Sequence, residues 1–170
     1  MTTTVSAPAT RTYDSTRVYQ DGITAGVLAA VAVALWFLVF DSVRGRPLYT
    51  PSVLGTALFG RGASLVPLEA TPVSGAMVLM FTWVHGLVFA VLGGIAARLL
   101  AVAERFPHVG FGILLLFVIF EACFTVAVYL IAAPVLHALT WPAVLVANLL
   151  AAAVMGAYLW RRHPALHVEP

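Results

Sequence analysis

The sequence contains no lysine, one cysteine and little charge of either sign. Charged side chains make up 9% of its 170 residues, whereas soluble domains carry roughly 25%. That shortage excludes a water-soluble globule, whose surface needs more charge than this chain can supply. Disorder is excluded by the opposite bias, because 62% of the residues are hydrophobic. The lone Cys123 lies inside an apolar run, so one chain can build neither a disulfide framework nor a cysteine-based zinc site. A net charge of +2, carried by nine arginines against seven acids, provides no basic stripe for a nucleic acid. The class left standing is an integral membrane protein.

Long apolar stretches supply the positive side of the reading. Crossing about 30 Å of hydrocarbon takes roughly 20 helical residues. Four segments meet that length: 22–43, 75–103, 109–133 and 142–160. They are expected to be helices, since lipid tolerates no unpaired backbone and four strands cannot close a barrel. The expected fold is therefore all-α, a four-transmembrane-helix antiparallel bundle forming one domain over 22–163. A polar cytoplasmic tail over 1–21 precedes it, and a C-terminal tail over 164–170 follows. The first apolar run is too long for a secretory signal and reads as an uncleaved span.

Boundary residues agree with these spans. Trp141 and Trp160 bracket the last one at a rise of about 28 Å, as interfacial anchors do. Pro134 follows the third, and Pro142 falls in the first turn of the fourth, where a missing N–H is harmless. Phe106-Pro107-His108 is a tight connection that makes spans two and three neighbours. Four crossings put both termini on one side with Arg11, Arg17, Arg98, Arg105, Arg161 and Arg162; Arg44, Arg46 and Arg61 fall on the other. The excess of arginine on the first side gives the expectation that both termini are cytoplasmic.

The first loop, 42–72, is rich in proline and glycine. Within it Thr50-Pro51 predicts a helix start, with Thr50 as N-cap, running to about Phe59. Leu54, Leu58 and Phe59 are the residues expected to rest this short interfacial helix on the membrane or the bundle. Gly60-Arg61-Gly62 ends it and lacks the residues of a phosphate loop.

Small residues predict where helices touch. Gly22, Gly26, Ala30 and Ala34 recur every fourth residue in the first span; in the fourth, Ala147 and Ala151 run beside Ala152 and Gly156. Such rows let membrane helices approach closely, within the chain or against another subunit.

Ionisable groups inside a span are costly and are candidate functional groups. Asp41, His85, Glu121 and the amide Asn148 supply one polar group per span, and Glu121, Thr125 and Tyr129 form one stripe. The expected arrangement is an intramembrane polar network of Asp41, His85, Glu121, Thr125 and Asn148, with His85 and Glu121 as the cofactor-binding candidates. Several roles remain open at this point. The network fixes helix register only; or His85 and the carboxylates hold a metal such as Zn or Fe; or His85 ligates a tetrapyrrole; or Asp41, His85 and Glu121 relay protons. The di-iron Glu-x-x-His pairs are missing, and Phe81 stands where a light-harvesting pattern has alanine. No catalytic constellation is present, so an enzyme is not expected, and no cofactor is identified.

The stretch from Asp41 through Arg44, Arg46, Thr50 and Pro51 to Gly55, with His85, Glu121 and Asn148, resembles uncharacterised bacterial four-helix membrane proteins. The resemblance covers most of the chain after Gly22. It implies the four-span fold and a pairing of the Asp-ended first helix with the Thr-Pro helix start, and implies no activity. The function expected is that of a non-catalytic accessory subunit of a larger membrane complex, respiratory or photosynthetic in kind, or a homo-oligomer. The alternative is a membrane protein that binds a metal or tetrapyrrole, or relays protons, through His85 and Glu121.

Overall fold

The computed structural model describes residues 15–60, 72–106, 112 and 141–162. The described residues are all-helical. Helix α1 runs Ser15–Val43, α2 Tyr49–Phe59, α3 Gly75–Arg105 and α4 Trp141–Arg162. Three of these, α1, α3 and α4, are long and apolar enough to cross a membrane. Gly112 apart, the expected third span at 109–133 lies outside the described residues, and with it Glu121, Cys123, Thr125 and Tyr129.

Helix α1 begins earlier than its apolar run. Residues 15–21, expected to belong to the polar tail, form its first two turns. Packing explains the extension: Val18 is buried with Ala97, Ala101 and Leu159, and Asp21 meets Arg162 of α4 at 3.4 Å. Tertiary contacts thus hold helical a stretch that composition marks as a tail.

The end of α1 is a Schellman motif. Gly45, at φ 72°, takes the left-handed conformation that glycine adopts without cost. Its N–H donates to the Ser42 carbonyl at 3.0 Å, and the Arg46 N–H to the Asp41 carbonyl at 2.9 Å. The chain thereby reverses within five residues and enters α2.

Contacts with α1 organise the rest. Gly22 sits on Gly93 and Gly94, Gly26 on Phe89 and Ala90, and the Ala30 carbonyl meets His85. Each step of four residues along α1 is thus matched by a step of about four back along α3. A Cβ at Gly26 would lie inside the Phe89 carbonyl, and one at Gly93 inside the Gly22 carbonyl. Only glycine lets these two backbones come this close. On its other side α1 meets α4, where Ala29 and Val33 are buried with Ala147 and Ala151.

Some residues expected in the seams lie elsewhere. Ala34 on α1 and both Ala152 and Gly156 on α4 are exposed. The buried face of α4 is the row Ala143, Ala147, Ala151, ending at Leu159. The neighbouring row of small residues was offset by one position, which turns it about 100° around a helix and off the contact.

Three hydroxyls on the spans are satisfied within their own helices. Thr24 donates to the Gln20 carbonyl at 2.8 Å, Ser42 to Leu38 at 2.6 Å and Thr82 to Val78 at 2.7 Å. This back-bonding gives an exposed hydroxyl an acceptor within its own helix.

Candidate functional site

Polar groups of the described residues fall into three clusters at three levels of the helices.

The first cluster joins α1, α2 and α3. Asp41 is 2% exposed, and both of its carboxylate oxygens are engaged. The Thr50 N–H donates to Oδ2 at 2.7 Å and the Thr50 hydroxyl to Oδ1 at 2.8 Å. The pairing implied by the resemblance is thus present as two hydrogen bonds. They complete the start of α2: Tyr49 N–H reaches the Arg46 carbonyl at 3.1 Å, Pro51 has no N–H to satisfy, and Ser52 N–H reaches the Leu48 carbonyl at 3.2 Å. The amides of Tyr49 and Thr50, which a helix N-terminus normally leaves orphaned, thus both have acceptors.

The cap differs from the one expected. Thr50 is the second residue of α2 and not its N-cap; that position is Leu48, at φ 64° and ψ 14°. A left-handed leucine costs roughly 1–2 kcal/mol. The buried bonds to Asp41 and the Schellman turn on either side hold it there. Of the two placements expected for Leu58 and Phe59, the structure does not show packing on the bundle. Ser52, Val53 and Gly55 are buried, while Leu58 and Phe59 are exposed. A Cβ on Gly55 would overlap the Met77 carbonyl, and the Ser52 hydroxyl accepts the Ser74 N–H at 2.9 Å. Small side chains set this approach to α3.

The second cluster lies near the middle of the spans. His85 Nε2 is 3.3 Å from the Ala30 carbonyl; since a carbonyl only accepts, the imidazole donates from Nε2. Along α3 the ring lies between Phe81, at 5.6 Å between centroids, and Phe89, at 4.6 Å. Nε2 cannot ligate a metal or a tetrapyrrole while that bond holds, and Phe81 occupies one approach. Asp41 is eleven residues beyond Ala30 on α1, about 16 Å along the axis. The two groups therefore do not share a cluster. Asn148 is half-buried on α4. Trp36 meets Ala143 across α1 and α4, which brings Asn148, five residues on, to the level of Val31 and close to that of His85. Glu121 and Thr125, the other expected members of the network, lie outside the described residues. Among the described residues no three of His, Cys, Asp and Glu come together to hold a metal.

Trp36 was not among the expected polar groups, although its indole N–H bridges helices. It donates to the Ala143 carbonyl at 2.9 Å, the same device by which His85 ties α3 to α1. An aromatic counted as hydrophobic hides its donor; an indole well inside an apolar span is the signal to look for, since a buried indole N–H needs an acceptor. Trp36→Phe, which keeps a ring and removes the donor, is expected to cost about 1 kcal/mol. A lowered midpoint of thermal unfolding in detergent, against wild type, checks it.

The third cluster closes the opposite end. The Tyr158 hydroxyl and Arg162 Nε both approach Asp21 Oδ1 at 3.4 Å, and Arg162 donates to the Tyr158 oxygen at 3.2 Å. Arg161 and Arg162 occupy the last turn of α4, where the helix dipole favours cations. This pair is largely exposed, so it orients the helix ends more than it stabilises them.

No protein-family model, curated protein or solved structure matches the chain.

Proposed function

We propose that the protein is an integral membrane protein of four antiparallel spans that acts as a non-catalytic accessory subunit, packing against a partner membrane protein. Support for the antiparallel arrangement comes from the opposed numbering of the α1–α3 and α1–α4 contacts. Support for both termini being cytoplasmic, in a bacterial inner membrane, comes from Arg17, Arg98, Arg161 and Arg162. Those arginines gather at one end of the helices, whereas Arg44 and Arg46 lie at the other.

One observation carries the subunit reading. Trp83 is 75% exposed, in a row with Leu79 and Leu87 that is also exposed. Two residues before His85, it sits deep in the span. Its indole N–H has no acceptor among the described residues. The contrast with the other tryptophans is instructive: Trp36 has the Ala143 carbonyl, and Trp141 and Trp160 lie at helix ends where water and headgroups serve. Acyl chains offer Trp83 nothing, and an unmatched donor in hydrocarbon is costly. A neighbouring protein helix presenting a carbonyl or hydroxyl removes that cost. The interior groups of the described residues, meanwhile, are used up in holding helices together: Asp41 by Thr50, His85 by Ala30.

Site-specific photo-crosslinking in native membranes tests this. A crosslinker at position 83 is expected to trap one defined protein, in an amount stoichiometric with a complex that co-migrates on native gels, while one at exposed Leu35 traps lipid. Trapping of lipid alone at position 83 overturns the reading. Trapping of a second copy of this chain replaces the larger complex with a homo-oligomer.

A further inference from the structure

Helix α2 has its polar side chains inside and its apolar ones outside. Tyr49, Thr50 and Ser52 are buried, and the half-buried Thr56 donates its hydroxyl to the Ser52 carbonyl at 2.9 Å. Ala57, Leu58 and Phe59 are exposed. A helix that faces water shows the reverse pattern. No residue of α2 is charged, and its 11 residues are too few to span a bilayer but enough for a re-entrant segment. Unlike Trp83, the exposed side chains of α2 include no donor that needs an acceptor, so nothing on that face calls for a protein neighbour.

Depth follows from the contacts of α1 and α3. Ser52 meets Ser74 and Gly55 meets Met77, so α2 and α3 run in the same direction and Leu58 falls level with Met80. Gly26 meets Phe89 and Ala30 meets His85, so Met80 falls level with Leu35 of α1. Between Asp21 and Asp41, α1 carries no charge. That stretch is about 30 Å of helix, the thickness of the hydrocarbon core. Leu35 is six residues inside Asp41, which puts Leu58 about 9 Å within the apolar layer. By Ser74 the chain is back at the end where it entered.

We propose that α2 is a re-entrant half-helix that dips into one leaflet, with Ala57, Leu58 and Phe59 against the acyl chains of phospholipid. The inference rests on the membrane reading above and goes beyond it, because the start of the first loop then belongs to the membrane domain and is not a surface connection. A helix tolerates that depth, since its backbone groups bond to one another. The Asp41–Thr50 and Ser52–Ser74 bonds fix the point of entry at the polar boundary.

Spin labels on single cysteines test the depth. The full chain carries Cys123→Ser and one of Leu58→Cys, Phe59→Cys, Leu35→Cys, Met80→Cys or Arg44→Cys, all at exposed positions. It is reconstituted into liposomes of phosphatidylcholine and phosphatidylglycerol. Collisions with oxygen, which partitions into acyl chains, are compared with collisions with a nickel chelate, which stays in water. Labels at 58 and 59 are expected to collide with oxygen and to lose the nickel collisions seen at 44. Labels at 58, 35 and 80 are expected to report one common depth. Nickel collisions at 58 and 59 as frequent as at 44 overturn the proposal, because α2 then lies on the membrane surface. Labels at 58 and 59 shielded from both reagents also overturn it, since protein and not lipid then covers the face. Positions 35 and 80 keep the two readings apart: lipid-like values there beside water-exposed 58 and 59 defeat the re-entrant helix alone, whereas nickel collisions at 35 and 80 defeat the membrane reading.

Discussion

Gly26→Val is expected to be the most damaging single substitution in the described helices, lowering stability by more than about 3 kcal/mol. Overpacking a core usually costs about 1–3 kcal/mol, because neighbouring side chains shift aside. Here the obstruction is the Phe89 carbonyl and the Ala90 Cα, and backbone inside a helix cannot move without moving the helix. The whole α1–α3 seam would open, taking the His85–Ala30 bond with it. Gly86→Ala on the same helix is the control, since nothing lies within 4 Å of the added Cβ. It is expected to be neutral, or stabilising by up to about 1 kcal/mol through helix propensity. Thermal unfolding in detergent with the intrinsic tryptophans as reporter distinguishes the two. Equal midpoints for both variants would mean that the seam does not limit stability.

Asp41→Ala is expected to have the next largest effect, about 3 kcal/mol, the low end of what two hydrogen bonds to a carboxylate contribute at about 1.5–3 kcal/mol each. Removing the carboxylate strands the Thr50 N–H and hydroxyl in a buried site. It also releases the left-handed Leu48 from the contacts that hold it. Asp41→Asn keeps the shape and one acceptor oxygen but turns an NH2 toward the remaining donor, so about half the loss is expected. Thr50→Val removes only the hydroxyl bond and is expected to fall below Asp41→Ala. Amide hydrogen exchange at Thr50 and Ser52 gives the local readout, with faster exchange in the order Thr50→Val, Asp41→Asn, Asp41→Ala. A series in which Asp41→Ala exchanges like wild type would show that α2 is held by its packing on α3 and not by its cap.

These two sites also show where sequence reasoning worked. The long helices were legible because apolar length is a one-dimensional property: α3 begins at Gly75, and α4 spans Trp141–Arg162, within two residues of the run read from composition. The row of Gly22, Gly26 and Ala30 was legible for the same reason, since a four-residue period defines a helix face without knowledge of the partner. What the period does not reveal is which of two adjacent rows touches a neighbour. On α4 the buried row is Ala143–Ala147–Ala151, and the row of Ala152 and Gly156 faces outward.

The polar groups divide in the same way. Their cost in lipid made Asp41, His85 and Asn148 conspicuous, yet cost says only that each needs a partner and not which one. Asp41 found its partner nine residues on, across a turn. His85 found a backbone carbonyl, which leaves no trace in a sequence because every residue has one. Trp36 did the same with Ala143 while counting as hydrophobic.

Composition by itself determined that the chain is helical, apolar and long enough to cross a bilayer, because those properties add up residue by residue along the chain. Only the tertiary structure decided which glycines carry the helix contact, that Asp41 belongs to the start of α2 and lies a helix third away from His85, and that Trp83 has no acceptor among the described residues. Each of those depends on the rotation and depth of one helix against another, and a hydrogen bond forms or fails over a few tenths of an ångström that no periodicity encodes.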